Sequence, residues 1–97
     1  MATYIILANF TEQGIRNVKD SPRRADALRD MAQKAGATVK EVYWTLGAHD
    51  IVTVVEAPDD IAVTALGLST GALGNVRTQT LRAFSKEEMT TILGKMV

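Results

Sequence analysis

The only histidine, His49, stands beside Asp50 in the run Gly47-Ala48-His49-Asp50. A carboxylate next to an imidazole can orient it and raise its pKa, which is the pairing that general acid or base chemistry uses. Neighbours in an extended chain point to opposite sides, however, so the plainer reading of His49 is a turn residue. Asp50 is read as a turn former or as an ion-pair partner for Arg16 or Lys19. A second set is basic: Arg16, Lys19, Arg23 and Arg77, with Asn75 beside the last. Arginine forks and the free N–H groups of a helix N-terminus bind carboxylates or phosphates, so this set predicts a small anionic ligand. The alternative is that these cations pair with Glu12, Asp20, Asp50 or a neighbouring subunit. Asn9 and Tyr43 complete the polar candidates.

Other chemistries are poorly served. With one histidine and no cysteine, a transition-metal site within one subunit has too few ligands, and disulfides are excluded. Gly14 does not belong to a phosphate loop, because no Gly-rich run leads to Lys-Ser or Lys-Thr. No cofactor is implied. A formal net charge of zero over 97 residues gives no general attraction to nucleic acid. Ile61 to Val76, the longest uncharged run, is too short for a membrane span. The start carries no signal-peptide pattern, and the expectation is a cytoplasmic protein.

The elements that place these residues follow from pattern. A single domain over residues 1–97 is expected, 46% hydrophobic. Ala2 to Phe10 is apolar on both faces and short, hence a strand. Thr11 to Asp20 reads as a loop with room for a helical turn. Ser21-Pro22 reads as an N-cap with proline in the first turn, opening a helix with Ala25, Leu28, Met31, Ala32 and Ala35 at helical spacing and ending at Gly36. Thr38 to Leu46 and Ile51 to Ala57 read as two strands joined by the His49 hairpin. Asp59 and Asp60 open an otherwise uncharged helix to about Leu73, whose small residues Ala62, Ala65, Gly67, Ser69 and Gly71 permit close packing. Gly74-Asn75 turns into a fourth strand, Val76 to Phe84. Ser85-Lys86-Glu87-Glu88 is a capping box for a last helix with the stripe Met89, Ile92, Leu93 and Met96.

The order is βαββαβ plus a short C-terminal helix, an α+β chain of ferredoxin-like pattern. Right-handed crossovers give an antiparallel sheet in the order 4-1-3-2. That topology gathers the loop after the first strand, the 47–50 hairpin and the loop before the fourth strand at one end. His49 and Asp50 thereby join Arg16, Lys19, Arg23, Asn75 and Arg77. A domain this small removes only about 60–65% of its unfolded surface from water. Central strands apolar on both faces need cover on both, which predicts association with a second copy.

Three segments also carry a resemblance. Gln13 to Arg24, Val42 to Asp50 and Gly74 to Phe84, in that order, resemble the GYD-domain proteins. The resemblance implies a ferredoxin-like subunit of the dimeric α/β-barrel type, in a family largely uncharacterised in function. The family's Gly-x-Tyr-Asp hairpin has His49 at its third position here. Asn9 and Trp44 are similar in type to residues of monooxygenases built on dimeric α/β barrels.

Three functions are therefore expected in this order. The first is a homo-oligomeric binding or assembly module, a homodimer or larger, with a small anionic ligand at the shared end. The second is a cofactor-independent dimeric-barrel enzyme of oxygenase or isomerase type, using His49 with Asn9, Tyr43 or Asp50. The third is a purely structural oligomer. RNA binding is disfavoured because the third strand lacks aromatics, acylphosphatase chemistry because it lacks the needed asparagine, and metal-chaperone use because there is no cysteine.

Overall fold

In the computed structural model, which describes residues 1–97, four strands form one antiparallel sheet: β1 Ala2–Phe10, β2 Thr38–Trp44, β3 Ile51–Ala57 and β4 Val76–Ala83. Their order is β2-β3-β1-β4, which is the predicted 4-1-3-2 read from the other edge. The helices are α1 Glu12–Arg16, α2 Ser21–Lys34, α3 Asp60–Ala72 and α4 Lys86–Gly94. The fold is α+β and ferredoxin-like.

Alternation decides which face is covered. Tyr4, Ile6 and Ala8 of β1, with Thr53, Val55 and Ala57 of β3, are buried under the helices, where Ala32, Val63 and Leu66 complete the core. α2 packs on β2, and α3 packs on β3 and β4. The intervening residues point the other way. Ile5 lies opposite Val54 and Leu81, and Leu7 lies opposite Val52, which lies opposite Tyr43. No element of the chain covers that face, and the Cα extents of 49 × 31 × 18 Å are those of one sheet with one helix layer.

Several boundaries differ from expectation. The 11–20 stretch is more ordered than a loop: Thr11 caps α1 by accepting from the Gly14 N–H, and Val18–Asp20 forms a 3₁₀ turn running directly into α2. Ser21 is consequently not the N-cap. Asp20 occupies that position with helical dihedrals and no side-chain cap bond, while Ser21 is the first helical residue and is buried. β2 ends at Trp44, two residues early, because Thr45 N–H donates to the Asp50 carbonyl at 2.8 Å and begins the hairpin turn. In α3, Asp59 is the N-cap, accepting from the Ala62 N–H at 2.9 Å. The close approach expected at its glycines is absent, since a Cβ at Gly67 or Gly71 would meet nothing within 4 Å. The capping box of α4 forms as read. That helix buries none of its residues. No helix is long and apolar enough to cross a membrane.

Candidate functional site

The three loops meet at one end of the sheet and are joined by hydrogen bonds. Asp50 holds the hairpin to β1: its N–H donates to the Ala8 carbonyl at 2.9 Å and to Asn9 Oδ1 at 3.2 Å, and its Oδ2 accepts from the Phe10 N–H at 2.9 Å. On the other side, Thr11 N–H donates to the Asn75 carbonyl at 3.1 Å and Thr11 Oγ1 to the Gly74 carbonyl at 2.5 Å. Gln13 Nε2 donates to Asn75 Oδ1 at 2.9 Å. Gly14 makes this approach possible, because a Cβ there would lie 1.9 Å from the Asn75 carbonyl oxygen. Gly74 turns the chain into β4 at φ 83°.

The expected site residues divide. Asp50 makes no ion pair with Arg16 or Lys19, and its carboxylate serves the β1 backbone instead. Arg16 pairs with Glu12 at 3.3 Å and Arg23 with Asp20 at 2.7 Å, both on the surface. Lys19 and Arg77 are exposed and outside the three ion pairs of the chain. Asn75 is half-buried and tied to Gln13. His49 is half-buried; its carbonyl accepts from Thr45 Oγ1 at 2.5 Å while its ring makes no hydrogen bond within the chain. Asn9 lies opposite Arg77, and Tyr43 opposite Val52, on the open sheet face.

Behind this end, between the sheet and helices α2 and α3, lies a cavity of about 100 Å³. Its walls are mostly apolar: Phe10, Leu28, Met31, Val42, Trp44 and Ile51 all contribute. The polar contributions are few and come from Ser21, Arg24, Thr53, Thr70, Asn75 and Thr78. Trp44 is only half inside the protein, and its Nε1 donates to Ser21 Oγ at 2.8 Å, so the buried serine and the indole hold each other at the cavity wall. Arg24 reaches back under α1, where Nη2 donates to the carbonyls of Gly14 at 3.2 Å and Asn17 at 2.9 Å. Its Nη1 is buried without an acceptor. A concave, largely apolar space with a few converging polar groups is the usual form of a small-molecule site.

Arg24 and Ser21 escaped the sequence reading, although a signal was present. Ser21, Arg24, Ala25 and Leu28 are spaced by three, four and seven residues, which sets the arginine and the serine on the apolar stripe of α2. At the far end of the sheet, Tyr4 Oη donates to Asp60 Oδ1 at 2.5 Å, and the Arg82 guanidinium stands 5.7 Å from the Tyr4 ring and 4.6 Å from that of Phe84. That cluster joins β1, α3 and β4 and is remote in register from the hairpin end.

Comparison with known proteins accords with this architecture. The crystal structure of MtbAldR (Rv2779c) superposes with a TM-score of 0.69 at 16% identity, over 88% of this chain and 52% of that one. The chain thus spans about half the length of MtbAldR, and the likeness is one of fold. The crystal structure of TTHA0845 from Thermus thermophilus gives a TM-score of 0.57 at 26% identity, over 88% of this chain and 95% of that one. No curated protein matches in sequence. The GYD-domain family matches residues 4–93, a span that runs from the first strand into α4. With that match over nearly the whole chain, the chain belongs to the GYD-domain family.

Proposed function

We propose that the protein is a homo-oligomeric binding module that takes a small anionic ligand at the hairpin end. The observation that carries this reading is the cavity of about 100 Å³ between the sheet and helices α2 and α3, which reaches the hairpin end of the sheet at Phe10, Trp44 and Asn75. An open space walled mostly by hydrocarbon leaves apolar surface against water, which a bound molecule would cover. Basic side chains at the same end, Arg16, Lys19 and Arg23 with Asn75, favour an anion on approach, while Arg77 stands opposite Asn9 on the other face of the sheet.

Assembly rests on the uncovered sheet face. Ile5, Leu7, Val52 and Val54 are only half-buried there, and Tyr43 is 53% exposed. A second copy with the same face covers this apolar row, as an isologous contact does. The enzyme alternative draws less support, because Asn9 and Tyr43 stand on the open face while the cavity lies on the other, and Asp50 is committed to backbone donors.

The test is a thermal-shift screen of small metabolites on the purified protein, together with light scattering at micromolar concentration. A ligand that prefers the folded state raises its apparent stability. Stabilisation by anions and a mass of two or more chains are expected. A uniformly flat screen removes the ligand, and a monomer removes the assembly.

A further inference from the structure

We propose that the cavity binds a small apolar monocarboxylate whose anionic end is held by Arg24 and whose hydrocarbon body fills the space beside Trp44. The proposal rests on the binding-module reading above and names the ligand class and its anchor.

The arginine is the first ground. Arg24 makes no ion pair: the three in the chain belong to Arg16, Arg23 and Arg82. Its Nη2 is occupied by two backbone carbonyls, and its Nη1 is buried with no acceptor. A buried donor on a charged group without a partner is costly, and a carboxylate oxygen supplies the charge-assisted bond that relieves it. Seating that oxygen requires the side chains that seal Nη1 to shift. The same residue lines the cavity, so a small movement of the side chains over Nη1 opens that donor to the free volume.

The rest of the wall sets the body of the ligand. Phe10, Leu28, Met31, Val42 and Ile51 offer no hydrogen bond, and a second anionic group would meet hydrocarbon. Inorganic phosphate and dicarboxylates are therefore poor fits. A volume of about 100 Å³ is of the order of the apolar cavities, about 150 Å³, that take up benzene. A benzoate or a short alkanoate matches in size, charge and polarity.

The chain has one tryptophan, and it lines the cavity, so its fluorescence reports occupancy directly. Sodium benzoate, benzyl alcohol and inorganic phosphate are titrated against the full chain while Trp44 emission is followed. Benzoate is expected to give a saturable change, benzyl alcohol one at least about tenfold weaker, and phosphate none; a charge-assisted bond of about 1.5 kcal/mol corresponds to that tenfold. Arg24→Met is expected to weaken benzoate at least about tenfold and leave benzyl alcohol unchanged, with Arg24→Lys between. Gly67→Leu grows a side chain from a cavity-lining position where a Cβ meets nothing within 4 Å, and is expected to abolish both. Circular dichroism shows which variants fold. Should Arg24→Met fail to fold, Arg24→Lys and Gly67→Leu carry the test. Equal binding of benzoate and benzyl alcohol, indifferent to Arg24, overturns the carboxylate anchor and leaves the binding module standing. Phosphate displacing benzoate at equal concentration overturns the apolar body. No response to benzoate, with a thermal-shift hit from another class, overturns this proposal alone. Silence in both experiments overturns the module as well.

Discussion

Asp50 and His49 are neighbours with unlike duties. The carboxylate of Asp50 satisfies the Phe10 N–H and its own N–H is shared between Ala8 and Asn9, so its removal leaves a backbone donor of β1 without a partner. Asp50→Ala is expected to cost about 1–3 kcal/mol, the penalty of a buried donor left unmade. His49→Ala, which deletes a ring with no hydrogen bond, is expected to change stability by less than about 0.5 kcal/mol. Urea unfolding of the two variants at neutral pH checks the contrast, and equal effects would remove the role given to Asp50. Tyr4 supplies a pH dependence. The hydrogen bond to Asp60, then burial, holds its phenol above the ordinary value of 10.0. The neutral phenol's contribution is thus fully present below pH 10.0 and is lost as pH rises through the raised folded value. Tyr4→Phe is expected to flatten the alkaline limb of a stability profile above that pH.

At the scale of elements, α4 is the least attached. None of its residues is buried, and it is held by its capping box and by Arg82, whose Nη2 donates to Glu88 Oε2 at 3.1 Å. The Ser85 N–H bond, then Arg82, keeps the Glu88 carboxyl below its ordinary 4.5. That contribution is present above pH 4.5 and is lost as pH falls through the lowered folded value. Ser85→Ala is expected to cost the helix about 1 kcal/mol. The loss appears as faster amide exchange confined to residues 86–94, with the global unfolding midpoint nearly unmoved. The elements were also where the sequence was most legible. Short apolar runs mark the two central strands and Gly74-Asn75 the turn into the fourth, because a strand covered on both faces is apolar throughout. Residues 11–20 were less legible, since a five-residue helix and a 3₁₀ turn carry too few positions for a period, and their reason for forming is the crossing of Gly14 over Asn75. Arg24 is not legible as a site residue because its acceptors are backbone carbonyls of that same stretch. For the basic set, local pairing with Glu12 and Asp20 is what the structure gives Arg16 and Arg23.

The whole molecule is one helix layer on one sheet, and in the proposed assembly a second copy meets the other side of that sheet. Val54 is central in the open face, flanked by Ile5 and Glu41 in register. Val54→Lys adds a charge there without touching the helix-side core. It is expected to turn an oligomer into monomers by light scattering and to lower the thermal midpoint in a way that no longer varies with protein concentration. An unchanged mass would place the assembly elsewhere.

The strand order carries one more consequence, for the chain as it is made. β1, which leaves the ribosome before the other three strands, lies between β3 and β4, and its partner on the β4 side is residues 76–83. Most of the polypeptide must therefore emerge before that edge is closed. Until then β1 presents an unpaired row of N–H and C=O groups on an apolar strand, the template that nascent chains use to join one another. A chain halted at Gly74 is expected to aggregate where the full chain folds, which pelleting of the two translation products would show.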